Sequence, residues 1–403
     1  MAAPSSEAAR DRAALISVFA VVIIDLVGFG IVMPILPFWA REYGASATTL
    51  GWLAATYAAA QFVFAPIWGS LSDRFGRRPV LLATIAGTSL ALALLAVANS
   101  VALLFAARLL AGIFAANFSV ASAYVSDVTP PEQRTGRMAL LGACFAIGFT
   151  LGPALAGPLS LLGVHAPIVV AASLSGANFF YAWLRLAEPA RRDASADASG
   201  DAPPEAVRGP RFAALADPRV RAIALANLAF SLAVTQLESM FQYFMADEFG
   251  WNAFRVSLLL VAMAVVMGAV QGSMRRIVPR VGEARLVVAG VALMTLAFAL
   301  IPEMPTLALL AIPLALSAIG RALAQPSMMG LVSRAAHAGN RGAVMGAFAA
   351  MASLARVFGP VGAGWLYDRN HAYPFWLAAA FASLVLAVPW RRLSQELGAS
   401  PAS

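Results

Sequence analysis

The stretch Gly69–Pro79, GSLSDRFGRRP, sets one acid and three arginines between two long apolar runs. In a soluble protein such a turn is a solvated loop or an anion site. Here the flanking segments decide, because the 403-residue chain is 61% hydrophobic and only 12% charged, whereas soluble proteins are roughly a quarter charged. The chain is therefore an integral membrane protein, and Gly69–Pro79 must lie at a membrane surface.

The basic residues are all arginine, so the net charge of +8 reflects arginines held in particular loops. It does not describe a polybasic surface for nucleic acid. The single cysteine, Cys144, excludes an intramolecular disulfide and any cysteine-based metal cluster, and three scattered histidines make a zinc site equally poor. No enzyme is indicated: His165 near a membrane edge, and His337 and His371 in loops, lack a nucleophile or metal-ligand set around them. The first apolar run, Ala13–Ala40, follows Arg10 and Arg12, and Ala45-Ser46-Ala47 resembles a cleavage site. That run is too long for a signal peptide and contains Asp25 and two prolines, so it reads as a retained helix.

A bilayer core of about 30 Å takes about 20 mostly apolar residues per helix. Twelve runs qualify: 13–40, 47–71, 79–98, 101–125, 138–162, 166–186, 220–245, 253–274, 285–301, 305–331, 342–366 and 373–390. Glu188–Pro218, rich in Ala, Ser, Asp, Pro and Arg, reads as a cytoplasmic linker between six-helix bundles at 1–187 and 219–403. The expected fold is all-α, with twelve transmembrane helices in two pseudo-symmetric bundles. With the N-terminus inside, 22 of the 28 arginines fall on the inner side and only Arg41, Arg255 and Arg369 on the outer. This places both termini in the cytoplasm.

The halves read as a repeat, a common way to build a secondary transporter. GSMRRIVPRVGEAR (Gly272–Arg285) follows the eighth run as GSLSDRFGRRP follows the second, with Arg276 opposite Asp73. Gly359-Pro360 answers Gly152-Pro153, and Arg108 and Arg321 fall in corresponding runs.

Taken together, these features resemble a drug:proton antiporter of the major facilitator superfamily, and within it the twelve-helix tetracycline-efflux branch. GSLSDRFGRRP matches the superfamily's motif G-x-L-[AS]-D-R-x-G-R-R. The resemblance implies that Gly69, Asp73, Arg74, Gly76, Arg77 and Arg78 form a gating latch for the outward-facing state. Asp73 would sit at the start of the eleventh helix, and Arg77 would pair with Asp73 and with Asp127. A carboxylate beside a helix N-terminus gains about 0.3–1 kcal/mol. Setting topology alone would require the arginines but not Asp73.

DLVGFGIVMPILP (Asp25–Pro37) resembles the first-helix pattern of the same group. A charge inside the bilayer costs at least about 2.5–3.5 kcal/mol. Asp25 either carries a proton between the two faces or pairs permanently with an arginine. Arg108, in RLLAG, matches the R-x-x-x-G element of the fourth helix, with Ala111 in place of the usual Gln. The resemblance gives it a part in proton transfer, acting on a carboxylate such as Asp25; a structural ion pair is the alternative. Gly148, Gly152, Pro153 and Gly157, in GFTLGPALAG, resemble the fifth-helix motif that marks antiporters, with Ala156 replacing a Gly.

Gln61, Asn117, Gln236, Glu238 and Arg321 are candidate cavity residues. Glu238 either faces a substrate cation or pairs with Arg321 or Arg356, and Arg356 is a candidate to neutralise one of the two buried acids. Three polar intramembrane positions of the tetracycline pumps fall on apolar residues here: Ala91, Met267 and Met294. Asp25, Gln61, Asp73, Arg108, His165-Ala166-Pro167 and Pro326 agree with those pumps. The expectation is therefore a proton-driven exporter of small lipophilic drugs or metabolites in a bacterial inner membrane. It would act as a monomer, with the proton gradient as its energy source and no cofactor or metal. A tetracycline-specific pump, a proton-coupled nutrient symporter and a non-transporting sensor are the alternatives.

Overall fold

The computed structural model describes residues 6–189, 213–336, 341–390 and 393. Most of the expected linker, and His337, lie outside them. The described residues form thirteen α-helices. These are α1 (Ser6–Glu42), α2 (Ala47–Phe75), α3 (Arg77–Ala96), α4 (Val101–Ile113), α5 (Asn117–Asp127), α6 (Pro131–Ser160), α7 (His165–Arg185), α8 (Pro218–Phe249), α9 (Ala253–Val281), α10 (Glu283–Leu300), α11 (Leu307–Ala335), α12 (Arg341–Tyr367) and α13 (Tyr373–Leu386). Eleven spans are long and apolar enough to cross a membrane, α4 and α5 jointly making one of them. The 14-residue α13 is a twelfth apolar helix. At 1.5 Å per residue the 29-residue α2 and α9 extend well beyond a hydrocarbon core of about 30 Å. Their charged ends therefore stand outside it.

The chain divides into two compact units. One comprises Met1–Ala45, Thr56–Ser199 and Gly250–Val261; the other comprises Ser46–Ala55, Gly200–Phe249 and Ala262–Ser403. Within the first, α1 packs along α6 and α7, and α3 along α4 and α7. Within the second, α8 packs along α12 and α13, and α10 along α11 and α13. Small residues allow the tightest of these contacts. A Cβ on Gly30 would lie 2.9 Å from the Gly148 carbonyl oxygen and 3.1 Å from the Gly152 Cα, so the α1 and α6 backbones touch. Gly290 and Gly320 do the same for α10 and α11.

The charged stretch Gly69–Pro79 is almost wholly helical. α2 runs to Phe75, α3 starts at Arg77, and Gly76 alone makes the turn at φ 101°. Gly282 makes the same turn between α9 and α10 at φ 85°. Gly44 and Gly250, at the ends of α1 and α8, form a second left-handed pair, and both pairs are 206 residues apart. The N-caps Ser100 and Thr306 keep that spacing. This gapless register corrects two expected equivalences. Pro279 stands opposite Asp73, and Glu283 opposite Arg77. Arg276 is an exposed residue three positions away, because the Gly-Ser pairs at 69–70 and 272–273 are not equivalent although the turns are. Likewise Arg321 stands opposite Ala115, not Arg108.

The fourth run is not one helix. It breaks at Phe114–Ala116, between α4 and α5. Gly87 in α3 leaves the space that the Phe114 ring fills, since a Cβ there would collide with the ring. A break in a membrane span frees carbonyls that need donors. Trp68 Nε1 donates to the Ile113 oxygen at 2.7 Å, and Gln61 Nε2 to the Ala115 oxygen at 3.1 Å.

Candidate functional site

The break sets Asn117 at the first position of α5, between α1 and α3. Its Nδ2 donates to Asp25 Oδ1 at 2.7 Å and lies 3.4 Å from Thr88 Oγ1. Thr88 in turn donates to the Thr84 carbonyl at 2.9 Å. Asp25 as a whole residue is half-buried, and its carboxylate is bonded by the Asn117 amide. Asn117 is 5% exposed, and its Oδ1 is buried without a hydrogen-bond partner. Of the residues expected to line a substrate cavity, Asn117 bonds Asp25 and Gln61 bonds the Ala115 carbonyl at the helix break.

Arg108 does not pair with Asp25. It is buried in α4, with its guanidinium carbon 4.2 Å from the centroid of the Tyr57 ring. No carboxylate among the described residues forms an ion pair with it, and its Nε has no hydrogen-bond partner. The ring face offers the cation about 0.5–2 kcal/mol of attraction.

At the turn, Arg77 donates from Nη1 to Asp73 and to Ser72 Oγ, both at 2.6 Å, and from Nε to Asp127 at 2.7 Å. The expected Arg77 pairs are thus both present. The Glu188 carboxylate, placed in the linker by sequence, accepts the backbone N–H groups of Arg77 (2.7 Å) and Arg78 (2.9 Å). It caps α3, whose first N–H groups have no partners within the helix. Arg78 fixes the same junction by donating to the Leu186 and Trp183 carbonyls. Arg74 lies over the Phe75 ring, and Gly69 faces open space. Along α6, Gly148 and Gly152 seat α1, Pro153 lies against Gly30, and Gly157 faces Ser257 and Phe254.

In the second unit Glu238 is paired with Arg321, whose Nε also reaches Gln325 at 3.5 Å. Of the alternatives for Glu238, this is the ion pair. Arg356 is exposed and is not the partner of Glu238. Gln236 donates to the Gly359 carbonyl at 3.3 Å, while its own Oε1 and that of Gln242 are buried without hydrogen-bond partners among the described residues. Asp368, which no sequence pattern singled out, accepts from the N–H groups of Ala47 (3.0 Å) and Thr48 (2.9 Å) and from the Thr48 hydroxyl (2.5 Å). It therefore caps α2 from the end of α12. Nearby, Tyr367 donates to Asp247 at 2.9 Å and stacks on His371, which bonds Glu248 at 2.6 Å. A cleft of about 400 Å³ opens among these residues, and neither Gln236, Glu238 nor Arg321 lines it.

Repeated bundles of apolar helices with a carboxylate inside the first span define a membrane transport protein. The chain belongs to the Major Facilitator Superfamily, whose sequence profile matches residues 18–241 and 223–402. It is 32% identical over 359 residues to the class C tetracycline resistance protein of Escherichia coli, covering 87% of this chain and 89% of that one. The crystal structure of the human organic anion transporter MFSD10 superposes with a TM-score of 0.68 at 26% identity, covering 94% of this chain and 99% of that one. A bacterial homologue of the human lysosomal transporter Spinster shares the fold, with a TM-score of 0.82 at 15% identity over 99% of this chain and 100% of that one.

Proposed function

We propose that the protein is a proton-coupled exporter of small lipophilic compounds in a bacterial inner membrane, with both termini cytoplasmic. The observation that carries this reading is Asp25. It is a carboxylate within the first span, bonded to a neutral amide and not locked in an ion pair with Arg108. A carboxylate in that setting can take up and release a proton without breaking a salt bridge. Arg108, to which the family resemblance gives a part in proton transfer, stands over the Tyr57 ring. The Arg77 clamp is proposed to act as the gate, holding the turn between α2 and α3 in one of two arrangements.

The names of the bacterial relatives favour a drug as substrate, and tetracycline itself is the second reading. Against it stand the buried Ala91 and Met294 at two positions where the resemblance expects acids.

Reconstituted vesicles test the reading. An imposed pH gradient should drive uptake into inverted vesicles of at least one member of a panel comprising tetracycline, ethidium and other lipophilic cations. Asp25→Asn should abolish that uptake. Gradient-driven uptake that survives Asp25→Asn at every pH would overturn proton coupling through this residue.

A further inference from the structure

Asn117 holds two facts that a packing role leaves unexplained. Its amide nitrogen makes a short bond to a carboxylate inside the membrane, and its amide oxygen is buried with no hydrogen-bond partner among the described residues. A buried acceptor left unbonded is costly; Asn178, Gln236 and Gln242 share that feature, and Asn117 is the one of the four shown donating to a carboxylate. The cost is removed if the acceptor is used in a second state of the same site.

We propose that Asn117 is the positioning residue of the Asp25 proton site. Its amide donates to the ionised carboxylate and, turned about its terminal torsion, accepts from the protonated one. This rests on the reading of Asp25 as the proton site. The chemistry balances simply. A proton from water on the loading face bonds to a carboxylate oxygen, the new O–H donates to Asn117 Oδ1, and the same proton returns to water on the other face. The amide itself neither gains nor loses a proton. A side-chain amide carries both a donor and an acceptor, and its terminal torsion is roughly two-fold, so one residue can serve both states. Thr88 Oγ1, 3.4 Å from Nδ2, provides a neutral flanking acceptor.

The surroundings leave this task to Asn117. Along α1 pack α5, α6 and α7, while α2 meets it through Phe29 and Tyr57 and α3 meets Asn117 through Thr88. Their charged residues sit near the ends: Asp73 and Arg74 in α2, Arg77 and Arg78 in α3, Asp127 in α5, Glu132, Arg134 and Arg137 in α6, and His165 and Arg185 in α7; Arg108 in α4 is held over the Tyr57 ring. Asp127 is ten residues along α5 from Asn117, or about 15 Å. The interior titratable groups on those helices are Tyr57, Tyr124, Cys144 and Tyr181.

The test is an infrared pH titration of the full-length protein in lipid, without substrate or gradient. The Asp25 carboxyl band is identified by its loss in Asp25→Asn. In Asn117→Leu the pH of half-protonation should rise by about one unit, since a hydrogen bond to the charged form is worth more than one to the neutral form. The C=O band of the protonated acid should also move to higher frequency as its partner is lost. Asn117→Ala supplies the same comparison should the leucine variant fail to give a monodisperse protein. An unchanged midpoint and an unchanged band in the folded variant would overturn the proposal and leave Asn117 a packing residue. A shifted midpoint combined with gradient-driven export by Asp25→Asn would support the amide–carboxyl pairing while removing the proton-coupling reading.

Discussion

Arg77 and Glu283 occupy the same place in the two halves of the chain with opposite charge. Each is the first residue of a helix entered through a left-handed glycine. Each then reaches an oppositely charged partner at the end of the following span: Arg77 meets Asp127, and Glu283 meets Arg334. The attraction is kept while the polarity is exchanged. The first clamp is the richer one, since Arg77 also holds Asp73 and Ser72.

Charge reversal should therefore be repairable within a clamp. Arg77→Glu is expected to lower stability by about 1–2 kcal/mol, because it removes a partly buried, charge-assisted network. Adding Asp127→Arg should recover part of that loss by building the second half's arrangement in the first. Glu283→Gln should cost less than about 1 kcal/mol, since Arg334 is half exposed. Thermal unfolding of the purified variants in detergent measures all three.

Gly76→Ala should be more damaging than an ordinary helix-end substitution. With φ 101° and ψ 159°, Gly76 lies in a region that is essentially glycine's own. A Cβ there would also stand 2.7 Å from the Glu188 carboxylate. A destabilisation of about 1–3 kcal/mol is expected. Gly69→Ala, in open space within α2, should be neutral or slightly stabilising. The pair of melting temperatures decides.

Trp68→Phe should destabilise the fourth span by about 1–3 kcal/mol, because the Ile113 carbonyl would lose its donor while the ring volume is largely kept. The same measurement on Trp183→Phe, an exposed tryptophan, should show almost no change.

Asp368 gives a pH signature. Burial alone would raise its pKa, but bonds from the Thr48 hydroxyl, the Thr48 and Ala47 N–H groups and Ser46 hold it below the usual carboxylate value. A carboxyl depressed in the folded state contributes stability above its unfolded value of about 3.9 and loses it as the pH falls through the lower native value. The stability advantage over Asp368→Asn should thus be constant from about pH 7 to pH 5 and vanish on further acidification. A constant difference throughout would assign the contact no charge dependence.

The apolar spans and the isolated acid Asp25 were legible in the sequence because both follow from what a bilayer tolerates. The break at Phe114–Ala116 was not, since Phe-Ala-Ala contains no residue that breaks helices. It depends on a vacancy at Gly87 and on donors from Trp68 and Gln61, which are contacts between spans. Without the break Asn117 reads as one more polar residue facing a cavity. The partners of Arg108 were hidden for a related reason: a buried cation suggests a carboxylate, and nothing in the spacing shows that the face of Tyr57 takes that place. Glu188 looked like the start of a linker because a cap supplied from a segment more than a hundred residues away leaves no local pattern. The repeat was visible, but its register was not, because Gly-Ser pairs are common and only the left-handed turns show which glycines correspond.

The single-residue turn at Gly76 also has a consequence for chain length. With no spare residues between α2 and α3, one inserted amino acid would turn α3 by about 100° and advance it by about 1.5 Å. Arg77 would then face away from Asp127. The connection between α3 and α4, Val97–Ser100, has slack to absorb such a change. At Gly76 the chain is thus intolerant of insertions and deletions, whatever residue is added.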